Sequence, residues 1–384
     1  MFRLVSLVTL KVDMKFILKI LSIVAFLNSI NFAVAMIESD SSRKFIVITD
    51  LEPDDRIALH ILAARIPKDR LLLVGTTVMN AARKQALTRR LLDQLSFGKV
   101  PVFQGTGGIA SSYDDIASSR AAREYTHEGN NILSENELEI LSKEPHSSLE
   151  LQKKIKKALK ANDNVELILL APPTDLVRVL NTRPELRKNI KHIYVMGGWT
   201  EIQDLQNTIL RSTYNWNMDP VSSAQLMEMN DIPMTIYSSH IIKQFFKGGG
   251  INSANFPKII KLINKYKTKL PSLVDQELAG LSWDKHVIEK IPMLSGIVAP
   301  YQGQQFTPAD PLVIIGIINN NLIKKAVPVN IHIDINDKDV ARGFRVEVSL
   351  SSASKILLVE EIDCAVFEDE ILKSFKCLNK TFKA

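Results

Sequence analysis

Phe45-Ile46-Val47-Ile48-Thr49-Asp50-Leu51-Glu52-Pro53-Asp54-Asp55 is a run of β-formers that breaks into four carboxylates within six residues. Arg56-Ile57-Ala58-Leu59-His60-Ile61-Leu62-Ala63-Ala64 then carries a helical pattern, so the acids stand where a buried strand turns into a helix. One Asp at a helix start is an ordinary cap. Asp50, Glu52, Asp54 and Asp55 together would repel one another strongly, and a bound cation is the simplest remedy.

Outward from this stretch, residues 71–78 predict a second strand ending at Met79-Asn80, with a helix over 81–95. Residues 100–105 predict a short third strand. Further strands are expected over 165–170, 190–196 (closing on Gly197-Gly198-Trp199), 234–237, 327–335, 343–350 and 355–359. Helices are expected from Asp175 and over 221–229, 313–318 and 368–375, and residues 245–300 read as mostly helical. The basic helix over 149–161 is expected to present a solvated face. This alternation predicts an α/β fold, a mostly parallel central sheet with helices on both faces in one domain. Ligands of such sheets bind at the carboxyl ends of the strands, where Asp50 and Asn80 fall.

Gly105-Thr106-Gly107-Gly108 lacks the Lys-Ser/Thr of a P-loop and the spacing of a dinucleotide fingerprint. Residues 109–148 are polar and read as a lid or specificity loop; His127 there is either a site residue or a solvated one. Residues 207–220 are rich in amides and aromatics and end in Asp219-Pro220. Their Asn side chains suit a hydroxyl-rich neutral ligand and suit turns equally well. Asp310 is an acid at the mouth of an apolar helix.

The amino terminus is a basic head (Met14-Lys15-Phe16-Ile17-Leu18-Lys19), a short apolar core and Ala33-Val34-Ala35. It is expected to be a secretory signal peptide over 1–35, with residues 36–384 as the exported domain and Met14 as an alternative start; an uncleaved anchor is the other reading. Export to a periplasm or out of the cell follows. Of the net charge of +6, the first 35 residues carry +3, leaving +3, too mild to imply a nucleic-acid partner. Cys364 and Cys377 permit one disulfide without demanding it.

The acidic strand end, Thr76-Thr77-Val78 before Asn80, Met196-Gly197-Gly198, an Asn-rich segment running into Asp219-Pro220 and Asp310-Pro311-Leu312 occur in one order. In that order they resemble the inosine–uridine-preferring nucleoside hydrolase family across roughly 44–376. The resemblance implies Ca²⁺-dependent hydrolysis of the N-glycosidic bond of a ribonucleoside to free base and ribose. It implies Asp50, Asp55, Asp310 and the carbonyl of Leu170 as calcium ligands. Asp50 would also be the catalytic base, Asp54, Asn80, Asn207 and Asn215 would hold the sugar, and His127 lies where some members carry an active-site His. Relatives of this kind are commonly dimers or tetramers, so a homo-oligomer is expected.

Ile48 stands where the family usually has an acid, and Glu52-Pro53 where it has Pro-Gly, so Glu52 has no assigned role. Thr213 replaces a ribose-binding Glu, and Ala309 replaces the His that helps the base leave. His127, Tyr125, His240 and Trp283 are candidates to supply that proton or to pack the base. The alternative function is a ribosyl-ligand binding protein of the same fold with impaired catalysis. No Gly-x-Ser-x-Gly elbow or zinc-type His/Cys cluster supports an unrelated hydrolase.

Overall fold

β1 (Lys44–Thr49) has no polar face. Phe45 and Val47 point into one apolar cluster and Ile46 and Ile48 into another. Successive side chains of a strand face opposite ways, so a strand apolar on both faces from Phe45 to Ile48 belongs in the middle of a sheet covered on both sides. The computed structural model describes residues 43–78, 81–106, 136, 148–204, 207–245, 256–266, 308–339 and 343–381. The expected leader (1–35), Asn80, Tyr125, His127 and Trp283 lie outside the described residues.

After β1 come α1 (Pro53–Arg65), β2 (Leu71–Thr76), α2 (Ala81–Gln94), β3 (Val102–Gln104), α3 (Ser148–Ala161), β4 (Val165–Leu169) and α4 (Thr174–Thr182). Then follow β5 (Ile190–Gly197), β6 (Trp199–Asp204), β7 (Asn207–Ser212), α5 (Tyr214–Met218), α6 (Pro220–Met227), β8 (Met234–Ser238) and α7 (Ser239–Phe245). The chain continues through α8 (Pro257–Tyr266), α9 (Ala309–Ile318), β9 (Ile323–Asp339), β10 (Gly343–Leu350), β11 (Ile356–Ile362) and α10 (Cys364–Thr381). The strands lie in the order β3-β2-β1-β4-β5-β8-β11-β9-β10-β7-β6. Every neighbouring pair from β3 to β11 is parallel. From β11 onward the pairs are antiparallel. The long β9 pairs with β11 on one side and β10 on the other, so one strand serves both halves.

Helices cover both faces, as expected. One cluster joins α1, α2, α8, α9 and α10; the other joins α3, α4 and α6. α1 starts at Pro53, because Pro is pre-set for a first helical turn, and Asp54 and Asp55 stand in that turn beside Asp50, in keeping with the sequence. Two local expectations are corrected. β2 ends at Thr76, and Val78 is in the left-handed region (φ 69°), which no strand residue adopts. The 149–161 helix is amphipathic: Leu151, Ile155 and Leu159, spaced four apart, are fully buried under the sheet. Residues 207–212, for which the sequence pattern names no element, form β7, hairpin-paired with β6. Cys364 and Cys377 are both free thiols. No helix among the described residues is long and apolar enough to cross a membrane.

α9 is apolar around its whole circumference and buried from Ala309 to Ile317, as such a helix must be. It packs against α1, β5 and β8. α10 packs on α1 in turn, clamped by Arg65 to the buried Glu370 at 2.5 Å. Gly316 gives α9 its close approach to β8: a Cβ there would lie 2.0 Å from the Tyr237 hydroxyl oxygen. Tyr237 is fully buried and cannot swing away. Gly316→Ala is expected to destabilise the fold by about 1–3 kcal/mol through overpacking. Chemical denaturation measures this; an unchanged midpoint would contradict the packing described.

Candidate active site

The turn after β1 is built by its own side chains. Leu51 takes a left-handed conformation (φ 53°) while its side chain stays buried. Its N–H donates to the Thr49 hydroxyl at 3.0 Å. Glu52 is the N-cap of α1, and its N–H donates to Asp55 Oδ2 at 2.9 Å. That is the returning half of a capping box, with Asp in place of Glu at the third helical position. Thr49 donates its hydroxyl to Asp55 Oδ1. Glu52 therefore serves at the helix start, and Asp55 is fixed by backbone and side chain at once.

Asp310 arrives from the far end of the chain on the first turn of α9, which packs along α1. Asp54 accepts from the Asp310 backbone N–H. One carboxylate oxygen from each of Asp54, Asp55 and Asp310 falls within 4.8 Å of the others. Asp50 adjoins them, with its carboxyl within hydrogen-bonding reach of Asp55, which also reaches Asp310. Burial raises all four carboxyl pKa values, and mutual repulsion adds to it: Asp55 and Glu52 act on Asp50 and Asp54, and Asp55, Asp54 and Asp50 act on Asp310. Bonds from Asp310, Thr49 and Asp50 pull Asp55 partly back. Asp50 Oδ2 and Asp310 Oδ1 are buried without a hydrogen-bond partner. Buried lone pairs on crowded acids, all hard oxygens, are a donor set that fits a divalent cation.

The neighbouring strand ends complete the floor. The Leu170 N–H donates to the Ile48 carbonyl at 2.9 Å. Asn215 Nδ2 donates to the Leu170 carbonyl at 2.8 Å and to the Met196 carbonyl at 3.3 Å, tying the ends of β4 and β5 together. Thr213 donates to the Gly198 carbonyl and accepts from Ser239 Oγ at 3.1 Å. Asp219 caps α6 through Ser222 N–H and accepts from Thr174, so the Asp219-Pro220 landmark is structural.

A profile of the family described as inosine-uridine preferring nucleoside hydrolase matches residues 45–369. This chain belongs to that family. The pyrimidine-specific ribonucleoside hydrolase RihA of Salmonella paratyphi A is 24% identical over 231 residues, 60% of this chain and 70% of RihA. The solved purine-preferring ribonucleoside hydrolase from Gardnerella vaginalis superposes with a TM-score of 0.63 at 18% identity, over 88% of this chain and 99% of that one. The inosine-uridine preferring nucleoside hydrolase from Bacillus anthracis gives 0.54 at 15%, over 88% and 99%. These likenesses show the nucleoside hydrolase fold.

Within this family member, the fold brings Asp50, Asp54, Asp55, Asp310, Leu170 and Asn215 to one end of the parallel strands. The three-carboxylate group contains Asp54, expected to hold sugar, and Asp50 stands beside it. Asn207 opens β7 at the turn of the β6–β7 hairpin, the far end of β7 from Ser212 and Asn215. His240 stands just past β8, with Nδ1 3.6 Å from Glu201 Oε1. Lys84 is the residue sequence reading does not single out. It is fully buried on α2, and its charge acts on Asp50 against the surrounding acids. A Lys four residues into a helix looks like any solvated Lys until its burial is known.

The raised carboxyl pKa values fix a sign. The folded, metal-free protein retains protons that the unfolded chain releases, so its stability falls as pH rises beyond the ordinary carboxylate value of 3.8. Burial pushes His60 and His192 down to about 4, which opposes this trend only below the ordinary histidine value of 6.5. In chelator, the melting temperature is expected to fall as pH is raised through the upshifted range of these carboxyls, less steeply where His60 and His192 oppose it, and calcium to flatten the slope. Parallel slopes with and without calcium would contradict the assignment.

Proposed function

We propose that the protein hydrolyses the N-glycosidic bond of a ribonucleoside, releasing free base and ribose, at a Ca²⁺ centre held by Asp50, Asp55, Asp310 and the Leu170 carbonyl, with Asp54 alongside. The observation that carries this reading is the convergence of Asp54, Asp55 and Asp310 within 4.8 Å, beside a buried Asp50 oxygen that no protein group satisfies. Calcium bound there supplies positive charge that orients the ribose hydroxyls and acidifies water.

The chain's own groups do the rest. Asp50 Oδ2 takes the proton of the attacking water, its geometry held by the bond network around Asp55. Asp54, on the first turn of α1, accepts from a ribose hydroxyl. The remaining carboxylate charge favours the oxocarbenium-like sugar in the transition state. The Leu51 turn, the Asn215 tie and the packing of α9 on α1 keep these groups in place without substrate, so little reorganisation is needed at the moment of reaction.

At the leaving base, the family resemblance would put a His where this chain has Ala309, which is buried and has no acidic proton to give. This favours a second reading, a ribosyl-ligand binder with weak turnover. The N-terminal leader is part of the proposal: the domain acts after export.

The deciding assay incubates the full-length protein with calcium and a panel of purine and pyrimidine nucleosides, following free base and ribose. Release is the expected result; ligand-dependent thermal stabilisation without release would favour the binder. p-Nitrophenyl β-ribofuranoside, whose phenolate leaves without a proton, is expected to react faster than inosine. Asp50→Ala is expected to lower kcat by roughly 10²–10⁴-fold, the usual contribution of a positioned base, and to weaken calcium binding in a calorimetric titration. Unchanged calcium affinity in that variant would remove Asp50 from the ligand set.

A further inference from the structure

The acid cluster has a cation built into the protein beside it. β1 and β2 run side by side in register, and the bond from Thr77 N–H to the Thr49 carbonyl (3.0 Å) holds the exit of β2 against the residue preceding Asp50. Thr76 Oγ1 donates to the Ala81 carbonyl at 3.0 Å, folding the first turn of α2 back over that strand end. Lys84 stands on that turn with no solvent exposure. An ammonium is costly to bury away from negative charge, and the attraction between Lys84 and Asp50 offsets part of that cost.

We propose that Lys84 is a resident counter-charge of the acid cluster, offsetting part of its negative charge so that the folded centre survives without a divalent ion and binds that ion less tightly than its carboxylates alone would. The inference deepens the calcium reading above and depends on it. Lys84 acts here as a positioning and charge-setting residue that does not touch substrate. Its effect is directional: in a low-dielectric site one unit charge changes the binding of a divalent ion substantially.

The test is calcium titration by calorimetry of the chelator-stripped full-length protein, with melting temperatures in chelator and in calcium, for wild type, Lys84→Met and Lys84→Arg. Lys84→Met keeps the length and apolar stem and removes the charge. It is expected to bind calcium about tenfold more tightly or better, and to widen the gap between its metal-free and calcium-bound melting temperatures. Lys84→Arg is expected to restore affinity toward wild type. Folding of Lys84→Met only in the presence of calcium would also support the proposal, since the ion then replaces the lost charge. Should Lys84→Met fold in neither condition, Lys84→Gln is read in the same way. Calcium affinity within twofold of wild type in the neutral variant, or equal shifts in the Met and Arg variants, overturns the proposal while leaving the metal centre standing. A wild-type protein that binds no calcium overturns both.

Discussion

Like charge packed into a dry space is the constraint around which this molecule is arranged. Asp55 has no exposed surface, and carboxyl groups stand on two sides of it. Left to themselves, such groups would be expelled to water or held neutral by protons. The fold adds further support. Two helices, α1 and α9, begin at the cluster, so unpaired N–H groups and the positive ends of two dipoles face the acids. The Glu52 and Asp310 backbone N–H groups are bonded to carboxylates, and Thr49 contributes its hydroxyl.

The two halves of the sheet divide the work. The parallel half lines up strand ends, so that Asp50, Leu170 and Gly197 share one edge although they come from three strands. The antiparallel half sends the β6–β7 hairpin out from the end of β5, and the chain returns through α5, where Asn215 reaches the Leu170 and Met196 carbonyls. Gly197 fits this return because Trp216 lies against it: a Cβ there would meet the indole nitrogen at 2.3 Å. The same departure and return places Thr213 over Gly198 and beside Ser239. A hydroxyl pair therefore stands where the family resemblance would put an acid.

The parallel strands were legible because burial on both faces leaves an uninterrupted apolar run, as at 45–48 and 167–170. Asp50 and Asp310 were legible as acids at the mouths of apolar elements, where solvated acids have no reason to be. Other parts were not. The hairpin strands Trp199–Asp204 and Asn207–Ser212 mix polar and apolar residues, and their amides read equally well as turns. Glu52 resisted interpretation because its part is local: it closes a capping box with Asp55 at the start of α1, which an acid among acids does not announce. Lys84 gave no signal because charge is read from sequence and burial is not. The amphipathic spacing of Leu151, Ile155 and Leu159 was present in the sequence, but the lysines between them masked it.

The clamp of Arg65 to Glu370 joins residues 305 positions apart, next to the packing of α9 on α1. β8 pairs with β11, so the parallel sheet also waits for the last strand of the chain. A polypeptide emerging amino end first presents Asp50, Asp54 and Asp55 long before Asp310 exists to meet them. The acids stay solvated and apart through most of synthesis, and the repulsive cluster forms only in the closing step, when nearly every other contact is available to oppose it. Contacts this distant in sequence make folding slow. The interval in which the chain is still extended is therefore long.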